Sequence, residues 1–233
     1  MERRDIRYLI ITAGGSGTRM ASPVPKQFIR IGGHPILRRT IDRFISYSPD
    51  FRIILVLPDD KRRLWLDYCE QAGYSIGPHI IASGGITRFH SVKNALKYVE
   101  RGAVAAVHDG VRPFPPLQML DSVFKLSYTV PAVCPAIPSS DTLRRLERSG
   151  NSVFSTSDID RSSVYRVQTP QVFYSEILID AYDRPYSDRF TDDASVVEAS
   201  GCKVRYVPGS KYNIKITTPE DLVIAGKLYE AGL

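Results

Sequence analysis

Three cysteines are too few to staple this 233-residue chain, and Cys69, Cys134 and Cys202 are odd in number and far apart. That pattern argues against a disulfide framework and against a Cys-based zinc site, leaving small core positions as the expected use. His34, His79, His90 and His108 show neither HExxH nor any paired spacing, so each is read as structural or surface. No apolar run approaches a membrane span, and "MERRDIRYLI" leads straight into a glycine turn instead of a cleavable apolar core. A cytoplasmic protein is the simplest expectation. Internal repeats and low-complexity tracts are missing too, which sets aside solenoids and tethered arrays. The net charge of +6 is modest, and its basic residues are dispersed through "MERRDIR", "DKRR" and "LRRLER". With no RNP-type aromatic motif and no zinc-finger spacing, no nucleic-acid partner is expected; a small polyanionic substrate accounts for the surplus equally well.

What is present is an ordinary globular composition, 43% hydrophobic and 24% charged, in a length that suits a single domain over 1–233. "YLIIT", "RIILVL", "HIIA", "AVAAVH" and "AVCPAI" are apolar at consecutive positions, as strands buried on both faces of a parallel sheet must be. Between them, "PILRRTIDRFISYS" and "DDKRRLWLDYCEQAG" read as amphipathic helices, the second closed by Gly73. In "TRFHSVKNALKYVERG", Val92, Ala95, Leu96 and Val99 make a core-facing stripe. Thr218-Pro219-Glu220-Asp221 opens a last helix with an N-cap, a proline and acids in its first turn. The alternation predicts an α/β fold: a Rossmann-like, mostly parallel sheet flanked by helices, with ligands at the carboxyl ends of the strands. Over 138–165 the pattern breaks into polar residues around a Ser-Gly-Asn turn, read as a β-hairpin arm projecting from the sheet.

After the first strand comes Ala13-Gly14-Gly15-Ser16-Gly17-Thr18-Arg19-Met20. It lacks the third glycine of a dinucleotide fingerprint, the Gly-Lys-Ser/Thr of a P-loop and the second glycine of a serine elbow. Its glycines still allow close backbone approach, its N–H groups suit an anion, and Arg19 adds a permanent forked cation. An ordinary strand-to-helix turn with a solvated arginine is the alternative. "PVPKQF" with Lys26, "GGITRFHSV" with Ser91, and "VHDGVRPF" with Asp109 and Arg112 each follow a strand, so these residues are expected to converge on one crevice with Arg19. Asp109, after an apolar strand, requires a cation: a salt bridge to Arg112 in one reading, a Mg²⁺ ion beside phosphates in the favoured one.

The ordered series "AGGSGTRM", "PKQF", "GGITRFHSV", "VHDGVRPF", "DT", "DR", "QTPQ", "TDDAS" and "NIKITTPEDL" resembles the methylerythritol phosphate cytidylyltransferases, with the ribitol phosphate cytidylyltransferases as the nearest alternative. The resemblance implies transfer of CMP from CTP to a sugar-alcohol phosphate with release of pyrophosphate. It implies Arg19, Lys26 and Lys215 as catalytic cations and Asp109 as ligand of Mg²⁺ or another divalent cation. Ala13, Gly14, Gly15, Gly84, Gly85, Ser91 and Gly110 would surround the nucleotide. Thr142, Arg161, Thr169, Thr191 and Arg112 would meet the acceptor, with turn or capping roles as alternatives for Thr169 and Thr191. Ile86 stands where many members carry Asp, Gly110 where Ala is common, and Tyr212 where Asp is frequent. A homodimer exchanging its arms is implied as well. Two other classes compete: a nucleic-acid-binding module, and a catalytically silent nucleotide sensor that would have lost a cation or the metal ligand.

Overall fold

Leu9, Ile10 and Ile11 are all fully buried although they point to alternate faces of one strand, so the sheet that contains them is covered on both sides. Each such side chain contributes on the order of 1.5–3 kcal/mol by leaving water. The computed structural model of the chain describes residues 6–15, 20, 24–77 and 79–233. Its strands and helices begin with β1 (Arg7–Thr12), β2 (Arg30–Ile31), β3 (His34–Pro35), α1 (Ile36–Tyr47), β4 (Phe51–Leu57) and α2 (Asp59–Gln71). Then come β5 (His79–Ser83), α3 (Arg88–Leu96), β6 (Val104–Asp109), α4 (Leu117–Leu126) and β7 (Ala132–Pro138). The arm strands β8 (Arg144–Ser149) and β9 (Ser152–Asp158) precede β10 (Tyr165–Val167), β11 (Gln171–Tyr174), α5 (Ser175–Tyr182), α6 (Asp193–Glu198), β12 (Arg205–Pro208) and α7 (Pro219–Glu230).

The main sheet runs β10-β7-β11-β6-β1-β4-β5, with β12 paired to β7. β5, β4, β1 and β6 are parallel, as the apolar runs predict, while β11 is antiparallel to both its neighbours. Ile10, Val56 and Val107 face α3 and α5 on one side; Leu9, Leu55 and Ala106 face α1, α2 and α4 on the other. A small third cluster of Ile36, Val111, Phe114, Ile216 and Ala225 docks α7.

The expected helix punctuation is present. Gly73 follows α2 with φ +56°, and Thr218 caps α7 in a capping box with Asp221 and Pro219 in the first turn. Two expectations need correction. The stripe ending at Val99 predicts a longer third helix, but α3 stops at Leu96 and Val99 is buried from the turns beyond it. Of the three free cysteines only Cys134 is fully buried, whereas Cys69 and Cys202 lie at intermediate depth. The arm is a two-stranded antiparallel hairpin, reversed at Gly150 (φ +57°), whose every strand residue is exposed, including Leu146, Val153 and Phe154. Among the described residues, no helix is long and apolar enough to cross a membrane.

Candidate active site

Parallel pairing of β1 with β6 sets Thr12 opposite Asp109, so the glycine turn and the acidic turn leave the two central strands side by side. Above that point lies a cavity of about 360 Å³ walled by Thr12, Ala13, Gly14, Gly15, Lys26, Gln27, Gly85–Arg88, Ser91, Asp109, Val111 and Lys215. An adjoining cavity of about 300 Å³ is walled by Arg88, Asp109, Arg112, Val167, Thr169, Gln171, Thr191, Asp192 and Lys215. Three charged side chains, Arg88, Asp109 and Lys215, belong to both. Two ligands seated in these cavities would meet at that shared wall.

Each wall of the first cavity has a local cause. Gln27, buried, donates from Nε2 to the Ala13 carbonyl at 2.8 Å and pins the start of the glycine turn. Its neighbour Lys26 opens a short 3₁₀ turn, Lys26–Phe28, and passes over Gly15, where an added Cβ would lie 3.5 Å from Lys26 Nζ. Opposite, Thr87 caps α3, and Ser91 Oγ accepts from Gly85 N at 2.9 Å while donating to the Thr87 carbonyl at 3.0 Å. The N-terminus of α3 therefore faces the cavity, an arrangement that favours an anion. Gly85 has no room for a side chain, since a Cβ would come within 2.4 Å of His90 Cβ. Ile86 stands 91% exposed on the rim and offers no charge.

Asp109 is buried at the end of β6 and surrounded by cations. Arg112 Nε lies 3.1 Å and Lys215 Nζ 3.0 Å from its Oδ2, and Arg88 Nε is 3.6 Å from its Oδ1. Burial by itself would raise the carboxyl pKa, but Arg88, Lys215 and Arg112 outweigh it and hold the group well below the usual carboxylate range. The anticipated Arg112 bridge is thus one of three. Lys215 arrives because Ile216 N donates to the Val111 carbonyl at 3.0 Å and Arg112 donates to the Asn213 carbonyl at 2.7 Å.

Beneath Asp109 the polar groups close into one chain. His108 Nε2 lies 2.9 Å from the Arg112 carbonyl, which can only accept, so that nitrogen carries the proton. Its Nδ1 is then the acceptor for the Thr169 hydroxyl at 3.0 Å, and Thr169 Oγ1 accepts from Asp109 N at 3.1 Å. Burial is the main reason that His108 is pushed down to about 4, which keeps the ring neutral and the chain intact. Thr169 thereby orients the Asp109 backbone as well as lining the second cavity. Thr191 precedes α6, whose cap is Asp192, so capping is not its role.

Placement of the other expected residues is uneven. Ala13, Gly14, Gly15, Gly85, Ser91 and Lys26 line the first cavity, and Arg112, Thr169 and Thr191 the second. Gly84 and Gly110 lie underneath: their N–H groups donate to the Leu57 and Thr12 carbonyls, and a Cβ on either would press on backbone at 3.1–3.3 Å. They shape the floor without walling the cavity. Thr142 and Arg161 are exposed on the arm and line neither cavity, with Arg161 donating to the Ser140 carbonyl at 3.2 Å. Arg19 lies outside the described residues. Sequence reasoning passed over Arg88 and its partner Asp193, although an acidic pair in "TDDAS" ahead of an apolar helix face was a signal for a buried carboxylate that needs a cation.

Fold and cleft together define an α/β nucleotidyltransferase. The family model described as 2-C-methyl-D-erythritol 4-phosphate cytidylyltransferase (IspD) matches residues 8–230. Relatives of that name include one from Azobacteroides pseudotrichonymphae, 48% identical over 96% of this chain and 99% of its own length. Another, from Bacteroides fragilis, is 46% identical over 95% of this chain and 99% of its own. The solved 4-diphosphocytidyl-2C-methyl-D-erythritol synthase of Anaerococcus prevotii superposes with a TM-score of 0.79 at 30% identity, covering 97% of this chain and 96% of that one. This chain belongs to the 2-C-methyl-D-erythritol 4-phosphate cytidylyltransferase family.

Proposed function

We propose that the chain transfers the cytidylyl group of CTP to 2-C-methyl-D-erythritol 4-phosphate, releasing pyrophosphate, as a step in the non-mevalonate route to isoprenoid precursors. The observation that carries this reading is the wall of Arg88, Asp109 and Lys215 shared by two adjoining cavities, which suits two phosphorylated ligands that must react with one another. Membership of the family supplies the chemistry. The relatives named above do not favour the ribitol phosphate alternative.

In this reading the first cavity holds CTP. Peptide groups from Ala13 to Gly15 and the Gly85 to Ser91 segment surround the base, while Arg19 and Lys26 meet the triphosphate. Arg112, Thr169 and Thr191 receive the acceptor phosphate in the second cavity, and a phosphate oxygen attacks the α-phosphorus as the bond to pyrophosphate breaks. The nucleophile is already anionic, so alignment and charge stabilisation do most of the work, with Lys215 beside the reacting phosphorus. Among the described residues no three metal-ligating side chains cluster, and a single ionised carboxylate at the shared wall fits a hard cation held mainly by phosphate oxygens. Mg²⁺ bound there by Asp109 would neutralise triphosphate charge. Residues 1–233 act as one catalytic domain, in the cytoplasm, and the 138–165 arm reaches a second copy so that Thr142 and Arg161 complete its acceptor cavity. That neither residue lines a cavity of its own chain, and that the arm strands are wholly exposed, supports that exchange.

The test incubates pure protein with CTP and Mg²⁺ and either acceptor phosphate, following pyrophosphate. Turnover with methylerythritol phosphate, loss with chelator and weak use of ATP are expected. Rapid turnover of ribitol phosphate alone would overturn the assignment of the acceptor.

A further inference from the structure

Arg88 opens α3, and Asp193 opens α6 on a far later segment. Their side chains meet in a bidentate pair, Nη1 to Oδ1 at 2.9 Å and Nη2 to Oδ2 at 2.7 Å. Asp193 is fully buried, and Tyr182 donates its hydroxyl to Oδ1 at 2.7 Å. The Tyr182 ring is fixed in turn by stacking on Phe89, with centroids 4.7 Å apart. The guanidinium so held is the one that walls both cavities, and its Nε makes only a loose ion pair with Asp109 Oδ1, at 3.6 Å. A forked pair of this kind fixes the plane of the guanidinium as well as its charge. It uses part of the five N–H donors and leaves the rest for the cavities.

We propose that Asp193 is a positioning residue of the transfer: acting through Arg88, it sets that guanidinium where the two ligands meet and keeps it from closing further onto Asp109. Without the Asp193 charge, the nearest anion left to Arg88 is Asp109, whose Oδ1 the proposed reaction needs for a divalent cation. The inference rests on the reading of the paired cavities given above.

The experiment compares the wild-type chain, D193N, R88Q, the double variant R88Q/D193N, and Y182F, each assayed with CTP, Mg²⁺ and methylerythritol phosphate, and each melted. D193N should lower kcat by about ten- to a hundredfold with a smaller change in the KM for CTP, as expected for a misaligned group. D193N also leaves the half-buried Arg88 guanidinium without its main partner and puts a neutral amide in a fully buried carboxylate position, so its melting temperature should fall. R88Q/D193N replaces the ion pair by two amides and should recover that melting temperature without recovering kcat. Its kcat should be no lower than that of the worse single variant, because both residues act through one group. Y182F, which keeps the ring and loses one hydrogen bond, should lower kcat by about threefold. The inference is overturned if D193N turns over at the wild-type rate, if the losses of the single variants multiply, or if kcat returns together with stability. A wild-type chain inert toward both acceptors overturns this inference along with the function it rests on. An active wild type with an equally active D193N overturns this inference alone. If D193N does not fold, the double variant and Y182F decide by the same criteria.

Discussion

Lys215 Nζ lies 3.0 Å from Asp109 Oδ2, and this contact ties the segment before the last helix to the end of a central strand. A hydrogen-bonded bridge from the Ile216 peptide to Val111 makes the approach a backbone property, so the cation is delivered by main-chain register. Asp109 therefore organises three cations from three parts of the chain, and changing it tests both fold and chemistry.

Asp109→Asn keeps the shape and removes the charge that Arg88, Arg112 and Lys215 share. Breaking a buried pair of this kind costs up to about 3–5 kcal/mol, and the amide retains part of that. A lower melting temperature with near-complete loss of cytidylyl transfer is expected, and higher Mg²⁺ should not restore it. Normal turnover across a magnesium series would place the metal ligand elsewhere.

Gly14 and Gly85 face the same cavity and should respond very differently to alanine. At Gly14 a Cβ meets, among the described residues, only Ser91 Oγ at 3.7 Å, an ordinary contact, so Gly14→Ala should fold normally and act mainly through the KM for CTP. At Gly85 it would strike His90 at 2.4 Å, forcing the loop off the N-terminus of α3. Gly85→Ala should lose at least about tenfold in kcat/KM and about 1–3 kcal/mol of stability. Calorimetry and steady-state kinetics on the two variants check the contrast.

His108 sets an acid limit on stability. Its pKa falls from 6.5 in the unfolded chain to about 4 in the fold, chiefly through burial. Between those values the unfolded chain binds a proton that the folded one refuses, so stability is complete above pH 6.5 and falls as pH drops toward 4. From pH 7 to 5 the loss is about 2 kcal/mol, or roughly 4–8 °C in melting temperature. Asp109, whose folded pKa is depressed, adds its own loss only below about pH 4. Melting in chelator at pH 7 and pH 5 should show the drop, and His108→Gln should flatten it; an unchanged slope in the variant would assign the proton to another group.

The proposed exchange of arms predicts complementation. Lys26→Ala and Arg161→Ala, each expected to be inactive alone, are unfolded and refolded together. If Arg161 serves the cavity of the second copy, each heterodimer has one doubly damaged site and one intact site, and up to about half of the wild-type activity per heterodimer returns. Heterodimers shown to form but remaining inert would place both residues in one chain's site.

The strands of the parallel core were legible because burial on both faces demands continuous apolar runs such as "RIILVL", which hardly any other element tolerates. β11 and β12 escaped notice: "QVFY" and "RYVP" are too short for a pattern, and their pairing with β6 and β7 is decided by tertiary packing. The site was legible where chemistry sits in short motifs at strand ends, as for Lys26, Asp109 and Arg112. It was obscure where a role depends on a distant partner. Arg88 sits inside a quoted motif, yet its position is fixed by Asp193, and nothing in local sequence joins the two. Gly84 and Gly110 show the converse, since a motif glycine can serve the packing under a site instead of the ligand above it.

The glycine turn and Asp109 both spring from β1 and β6, strands paired on both edges and packed on both faces. In amide hydrogen exchange, such strands open only when the whole domain does. The peptide groups of Ile10, Ile11, Val107 and His108 should thus be among the slowest to exchange, and their rates should track global stability. The cleft floor is therefore a permanent fixture: ligands arrive at a surface already set by the two strands most deeply held in the sheet.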